Sequence, residues 1–337
     1  MPILSEAVRF VGKIHEGEDL SAIAHFQVND TPYLAIGSDE STHLIQLLKQ
    51  TSEQLYEVDK ELTIELPLPD KSDEIDIESL EFDPEKNCLY VIGSHSQKRK
   101  TVRLTGKKAE TAAGNRKRLT DAEISPETDR NRIFQVTLKS KSGKVKGEIK
   151  QFDHLKELFV QDDYLKRFIN IPSKENGIDI EGLAFQKDSL FLGFRGPILR
   201  GNYVPVMVIS RDALEAPEDK TDYEIRFVQL NGGAIRDMTV VEGGFLIIGG
   251  PMGDAPGPYG IYFWDGTDMV YGTDKPVPMP PAVMLLEEIV PPMDNDGAQG
   301  KAEGIPVLEE TATGYKALII YDSIKDGGPQ LWHIPKP

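Results

Sequence analysis

One short motif recurs five times along this chain, and the repeat constrains the fold more than any other feature. Asp19-Leu-Ser-Ala-Ile, Asp76-Ile-Glu-Ser-Leu, Asp179-Ile-Glu-Gly-Leu, Ala234-Ile-Arg-Asp-Met and Lys301-Ala-Glu-Gly-Ile align on a polar third residue: Ser21, Glu78, Glu181, Arg236 and Glu303. Each is followed 12 to 18 residues later by the end of an apolar run, as in Tyr33-Leu-Ala-Ile-Gly, Leu89-Tyr-Val-Ile-Gly, Leu190-Phe-Leu-Gly, Phe245-Leu-Ile-Ile-Gly and Ala317-Leu-Ile-Ile-Tyr. Continuous apolar runs of four or five residues bounded by turns predict strands buried on both faces. Five copies of one strand unit, none able to bury its faces alone, predict radially stacked blades.

Further strands fit the same unit at 44–48, 132–138, 204–209, 259–264 and 330–334, with fourth strands at 62–66 and 224–230. The fifth unit runs out of chain after Trp332, and the strand-like segment Val8-Arg-Phe-Val-Gly-Lys-Ile14 is the candidate for its missing outer strand. Such a closure hides a sheet edge. The expectation is therefore a single all-β domain over 1–337, a five-bladed β-propeller closed by the N-terminal strand. The anchors lie 57, 103, 55 and 67 residues apart, so the long second interval leaves six blades as the alternative. That interval reads instead as two insertions. One, over 97–131, is a basic loop whose residues 98 to 118 carry nine Lys or Arg against one Glu. The other, over 153–172, is helical, with Leu155, Leu158, Phe159, Leu165 and Phe168 at three- and four-residue spacing before Pro172.

Composition narrows the function classes. Thirty Gly and 23 Pro spread along the chain exclude a helical bundle. The single Cys88 removes disulfides, redox pairs and Cys-based zinc sites, which fits a reducing, cytoplasmic setting. The first residues resemble no secretory signal, no apolar window is long enough to cross a membrane, and a net charge of −17 argues against a general nucleic-acid binder.

The strings Asp179-Ile-Glu-Gly-Leu-Ala-Phe, Gly193-Phe-Arg-Gly-Pro-Ile-Leu-Arg-Gly201, Tyr90-Val-Ile-Gly-Ser-His-Ser96 and Lys301-Ala-Glu-Gly-Ile resemble a bacterial family of unknown function, domain of unknown function 3616, over nearly the whole chain. That family is itself similar to β-propellers of the phytase-like esterase and lactonase kind. The resemblance implies fold far more than activity.

In a propeller the innermost strand starts at one face and the second strand returns to it. The anchors, Asp237 after Arg236, and the second-strand ends (Asp39, Glu40, Ser94, His95, Arg195, Asp322) should thus converge on one mouth of the central channel. Two readings of the acids stand open. Glu78, Glu181, Glu303 and Asp237 can give oxygen ligands to Ca²⁺ or Mg²⁺, or Arg195 and Arg236 can neutralise them as bidentate partners. His95 is the candidate general base and Arg195 the candidate anion-orienting group of a metal-assisted hydrolase of a small ester, lactone or phosphoester. Asp39, Glu40, Ser94, Arg236 and Asp322 are candidate ligand-binding residues. The alternative is a non-enzymatic module that holds a peptide or protein. The basic loop starts on this same face, so it either draws a small anionic molecule or an acidic peptide or protein over the channel, or is a solvated loop. Asp294-Asn-Asp-Gly297 lacks the closing Glu of a calcium loop and reads as a turn, and the proline-rich 251–258 reads as a stiff rim.

Overall fold

A computed structural model describes residues 6–40, 43–60, 62–68, 74–104, 109–125, 127–141, 144–215, 223–294 and 296–337. Five antiparallel sheets radiate from one axis, and their innermost strands are Leu20–Val28, Ile77–Asp83, Asp179–Gln186, Ala234–Val241 and Lys301–Gly304. Consecutive innermost strands touch, and the fifth touches the first, so the ring is closed with five blades. The six-blade alternative fails because the long second interval is spent on the third and fourth strands of the second blade (Ile133–Lys141 and Lys144–Phe152) and on the two insertions.

Close approach between blades explains the small residues that follow the anchors. A Cβ added to Gly182 would lie 2.8 Å from Ile235 Cγ2, and one added to Gly193 2.7 Å from the same atom. Ile235 of the fourth blade thus seats on a glycine floor in the third, and Ile23 of the first meets Gly304 of the fifth in the same way. Side chains larger than hydrogen there would push the strands off the axis.

One device repeats in all five innermost strands. Pairing skips the anchor each time: Leu20 and Ala22 face Ser38 and Gly37, Ile77 and Ser79 face Gly93 and Ile92, and Gly182, Asp237 and Gly304 likewise resume the register past Glu181, Arg236 and Glu303. Every anchor is the extra residue of a β-bulge. A bulge leaves its residue outside the ladder and re-aims its side chain, here toward the channel.

The N-terminal segment closes the ring differently from the single outer strand expected at Val8–Ile14. Glu6–Ala7 pairs antiparallel with Gln330 and Leu331 in the fifth blade, whereas Arg9–Val11 pairs parallel with Leu55–Glu57 in the first. Val8 and Phe10 are buried among residues of both blades. The helical insertion is an α-helix at Leu155–Gln161 and a 3-10 turn at Leu165–Arg167, docked through Leu155, Leu158, Phe159 and Leu165. The basic insertion contains a two-stranded ribbon, Lys98–Arg99 with Ile124–Ser125, and an eight-residue helix, Ala112–Leu119. No helix among the described residues is long and apolar enough to cross a membrane.

Candidate ligand site at the channel mouth

The bulges deliver their residues to one cavity of about 690 Å³, lined by all five anchors and by Asp39, Glu40, Arg195 and Asp322 from second-strand ends. Its far wall is the basic insertion, through residues 98–103 and Arg118.

Arginine and lysine neutralise most of the floor. Arg195 donates through Nε to Asp179 Oδ2 at 2.9 Å and pairs through Nη1 with Glu181. Arg236 sits between two anchors, its Nε 3.0 Å from Glu181 Oε2 and 3.1 Å from Glu303 Oε2. Lys301 Nζ lies 2.6 Å from Asp322 Oδ2. On the second blade Arg130 Nη1 approaches Asp76 Oδ2 to 2.6 Å, and the Ser94 hydroxyl donates to that same oxygen.

Glu78 stands apart. It is 7% exposed, lines the cavity, and has no hydrogen-bond or ion-pair partner among the described residues. One of its oxygens lies within 4.8 Å of oxygens of Asp179 and Glu181. Asp179 Oδ1 is also without a hydrogen bond, Oδ2 alone being used by Arg195, and so is Asp39 Oδ1 next door. Most acids of the mouth are matched by cations, and Glu78, with Asp179 Oδ1 and Asp39 Oδ1, is left over. Burial, reinforced by Glu181 and Asp76, pushes the Glu78 carboxyl well above the usual range, and burial with Asp76 does the same to Asp39. Glu181 is pushed up to about 8, because burial outweighs the pull of Arg195 and Arg236. Oxygen-rich and short of positive charge, this side suits a hard cation.

A model of the family described as "Protein of unknown function (DUF3616)" matches residues 19–328. The chain belongs to that family. Its fold is also similar, at low scores, to solved structures: Saccharomyces cerevisiae Sqt1 (10% identity, 99% of this chain and 100% of that one, TM-score 0.39), a hypothetical protein from Leishmania major (12%, 99% and 90%, 0.37) and MPT-4, a mannose phosphorylase from Leishmania mexicana in complex with phosphate ion (12%, 98% and 87%, 0.36). A comparison with curated proteins finds no match.

In this DUF3616 chain the expected site residues fall into three groups. Glu78, Glu181, Glu303, Arg195, Arg236, Asp39, Glu40 and Asp322 meet at the cavity. Glu303 is occupied by Arg236 and stands outside the three-carboxylate cluster, in which Asp179 takes its place. Asp237 lies deeper in the channel, where its carboxylate accepts the Ser79 hydroxyl and the Ile305 amide, each at 2.8 Å, so it is no part of the metal cluster. Ser94 and His95 do not line the cavity. Ser94 steadies Asp76 from behind. His95 takes a left-handed backbone (φ 57°), engages the Gly93 carbonyl through Nδ1 at 2.8 Å and packs its ring edge-on against Phe159 of the helical insertion. Burial pulls its pKa down to about 4, leaving it neutral and out of reach of a channel ligand. The general-base role expected for His95 is therefore not supported by its position.

Asp237 makes stability depend on pH. Burial, partly offset by the Ile305 and Ser79 hydrogen bonds, pushes its carboxyl up to about 8. The native state then holds a proton that the unfolded chain has released, so this contribution is complete below about pH 4 and is lost as pH rises toward 8. The urea midpoint is expected to fall between pH 5 and pH 8, and Asp237→Asn, which cannot ionise, should flatten that slope. Parallel pH profiles for the two proteins would contradict this assignment.

Proposed function

We propose that the chain is a ligand-binding propeller that holds a divalent cation, Ca²⁺ or Mg²⁺, at Glu78, Asp179 and Glu181, and binds a small anionic molecule above it. The observation that carries this reading is Glu78, a buried carboxylate in the cavity with no partner and with two further carboxylates within 4.8 Å. Leaving such a group ionised and alone is costly, and a bound cation removes the cost. A cavity of about 690 Å³, walled on one side by the basic insertion, has the size of a small-molecule site and so favours a small molecule over a peptide or protein.

Hydrolysis is the second reading, favoured by Glu181. With His95 turned away, the chemistry falls to the cation that Glu181 helps to hold, which would supply a bound water as the nucleophile. That role suits cleavage of an ester, lactone or phosphoester, the chemistry implied by the esterase and lactonase resemblance, with the cation polarising the substrate oxygen.

Calorimetry on chelator-treated protein tests the first reading. Ca²⁺ or Mg²⁺ should bind with one-to-one stoichiometry and raise the melting temperature, since binding to the native state alone adds stability. Glu78→Gln should weaken the affinity by about tenfold or more through loss of a charged donor, and should raise the melting temperature of the metal-free protein by removing an unmatched charge. No heat of binding at millimolar cation would end this reading. Turnover of phosphate, carboxylate-ester and lactone panels by the loaded protein, lost in Glu181→Gln, would separate hydrolase from binding module.

A further inference from the structure

Ten cationic side chains line the cavity, and eight of them face a carboxylate within ion-pair range. Arg103 and Arg118 are the other two. Among the described residues no carboxylate pairs with either, although both are half-buried at the cavity wall. The neighbouring basic residues of the insertion are spoken for: Lys98 by Glu74 and Glu127, Arg99 by Glu175 at 2.5 Å, Lys100 by Asp121 and Glu123.

The segments that carry the two arginines are tied to each other. Asn115 clamps the Arg103 backbone at both ends, accepting its N–H at 2.7 Å through Oδ1 and donating to its carbonyl at 3.0 Å through Nδ2. Arg118 lies three residues beyond Asn115 on the helix Ala112–Leu119, hence on the same side of it. Its Nε donates to the Thr101 carbonyl at 2.6 Å. That bond uses one edge of the guanidinium and leaves its terminal nitrogens for a ligand. Loop and helix thereby bring the Arg103 backbone and the Arg118 guanidinium to one wall without consuming either charge, which part-organises an anion receptor.

We propose that Arg103 and Arg118 form the anion receptor of the cavity and that its ligand is an organic phosphate monoester. A carboxylate offers one negative charge on two oxygens, whereas a phosphoryl monoester presents three oxygens and up to two negative charges and so makes fuller use of two cationic forks. Val102 and Leu119, 41% and 67% exposed, flank the two arginines and line the same cavity, giving the organic group an apolar contact. The opposite pole holds Glu78, one of the three residues of the proposed cation site, with Asp39 beside it. The receptor deepens that reading and depends on it only for this second pole.

Calorimetric titration with phenyl phosphate, inorganic phosphate and benzoate, on metal-free and on Mg²⁺-loaded protein, tests the receptor. Phenyl phosphate should bind more tightly than the other two. The double substitution Arg103→Gln with Arg118→Gln should weaken it about a hundredfold, roughly tenfold per lost charge-assisted fork, and leave Mg²⁺ affinity unchanged. Arg116→Gln with Lys117→Gln removes the same charge from exposed positions of that helix outside the cavity, and should leave phenyl phosphate affinity within about twofold, since exposed charges are screened. Binding that is absent, or equally weakened by both double substitutions, overturns the receptor even if Mg²⁺ binds. Arginine-dependent phenyl phosphate binding without any Mg²⁺ binding upholds the receptor and removes the cation.

Discussion

Arg236→Ala is expected to cost about 3–5 kcal/mol, the range for removing one member of a buried charge network and leaving its partners unmatched. Arg236 is 3% exposed and spans two blades, touching Glu181 of the third and Glu303 of the fifth while its own strand belongs to the fourth. Its loss strands Glu303 without its bidentate partner and leaves Glu181 to Arg195 alone. Both carboxyls are already held above the usual range by burial, so they relieve the damage by taking up protons. The cost should accordingly be larger at pH 8 than at pH 5, the sign given by groups whose native pKa is raised. Arg236→Lys keeps the charge but not the planar fork and should recover only part of the loss. Combining Arg236→Met with Glu303→Gln should recover more, because Glu303 is then no longer a charge stranded without its partner. Urea unfolding of these variants at the two pH values is the measurement. An Arg236→Ala protein within 1 kcal/mol of the parent would show that the network does not hold the blades together.

That network marks the boundary between what the residues announce and what only the folded chain reveals. The third residue of each repeat is polar among apolar neighbours, and this pattern alone places Glu78, Glu181, Arg236 and Glu303 at one channel mouth, as found. The reason they point inward is a bulge, and a bulge is a matter of register between two strands that neither strand spells out by itself. Asp179 was within reach, since acids also open the repeats at Asp19 and Asp76, but alignment on the third residue alone passed over the first. Arg130 was not. It lies within the insertion 97–131 and returns to the floor beside Asp76, a contact set by how the insertion folds back rather than by any repeat. His95 failed for a related reason. It follows the strand Cys88–Gly93 in a left-handed turn, and the side it turns to is covered by Phe159 of a helix whose docking place is tertiary information.

The second large effect concerns the seam of the ring. Removing the chain through Val11 should lower the thermal midpoint by more than ten degrees or abolish cooperative melting. Val8 and Phe10 are 5% and 8% exposed and pack against Leu318, Ile320 and Leu331 of the fifth blade and Leu34, Leu48, Tyr56 and Val58 of the first. Burying two such side chains is worth about 3–6 kcal/mol, and the backbone bonds of Val8 to Pro329 and of Arg9 to Gln54 go with them. Deletion also bares two sheet edges, Gln330–Pro335 and Leu55–Val58, which are then open to pairing with other chains. The truncated protein should therefore associate as well as loosen. Because the segment bridges two blades instead of extending one, its loss releases both, and a single outer strand would release only the fifth. Hydrogen exchange separates these cases: the amide of Tyr56 in the first blade should lose protection together with that of Leu331 in the fifth. A synthetic peptide covering residues 6–14, added in trans, should restore protection on both sides. Truncated protein that melts at the full-length temperature, or that loses protection in the fifth blade alone, would rule out the bridging arrangement.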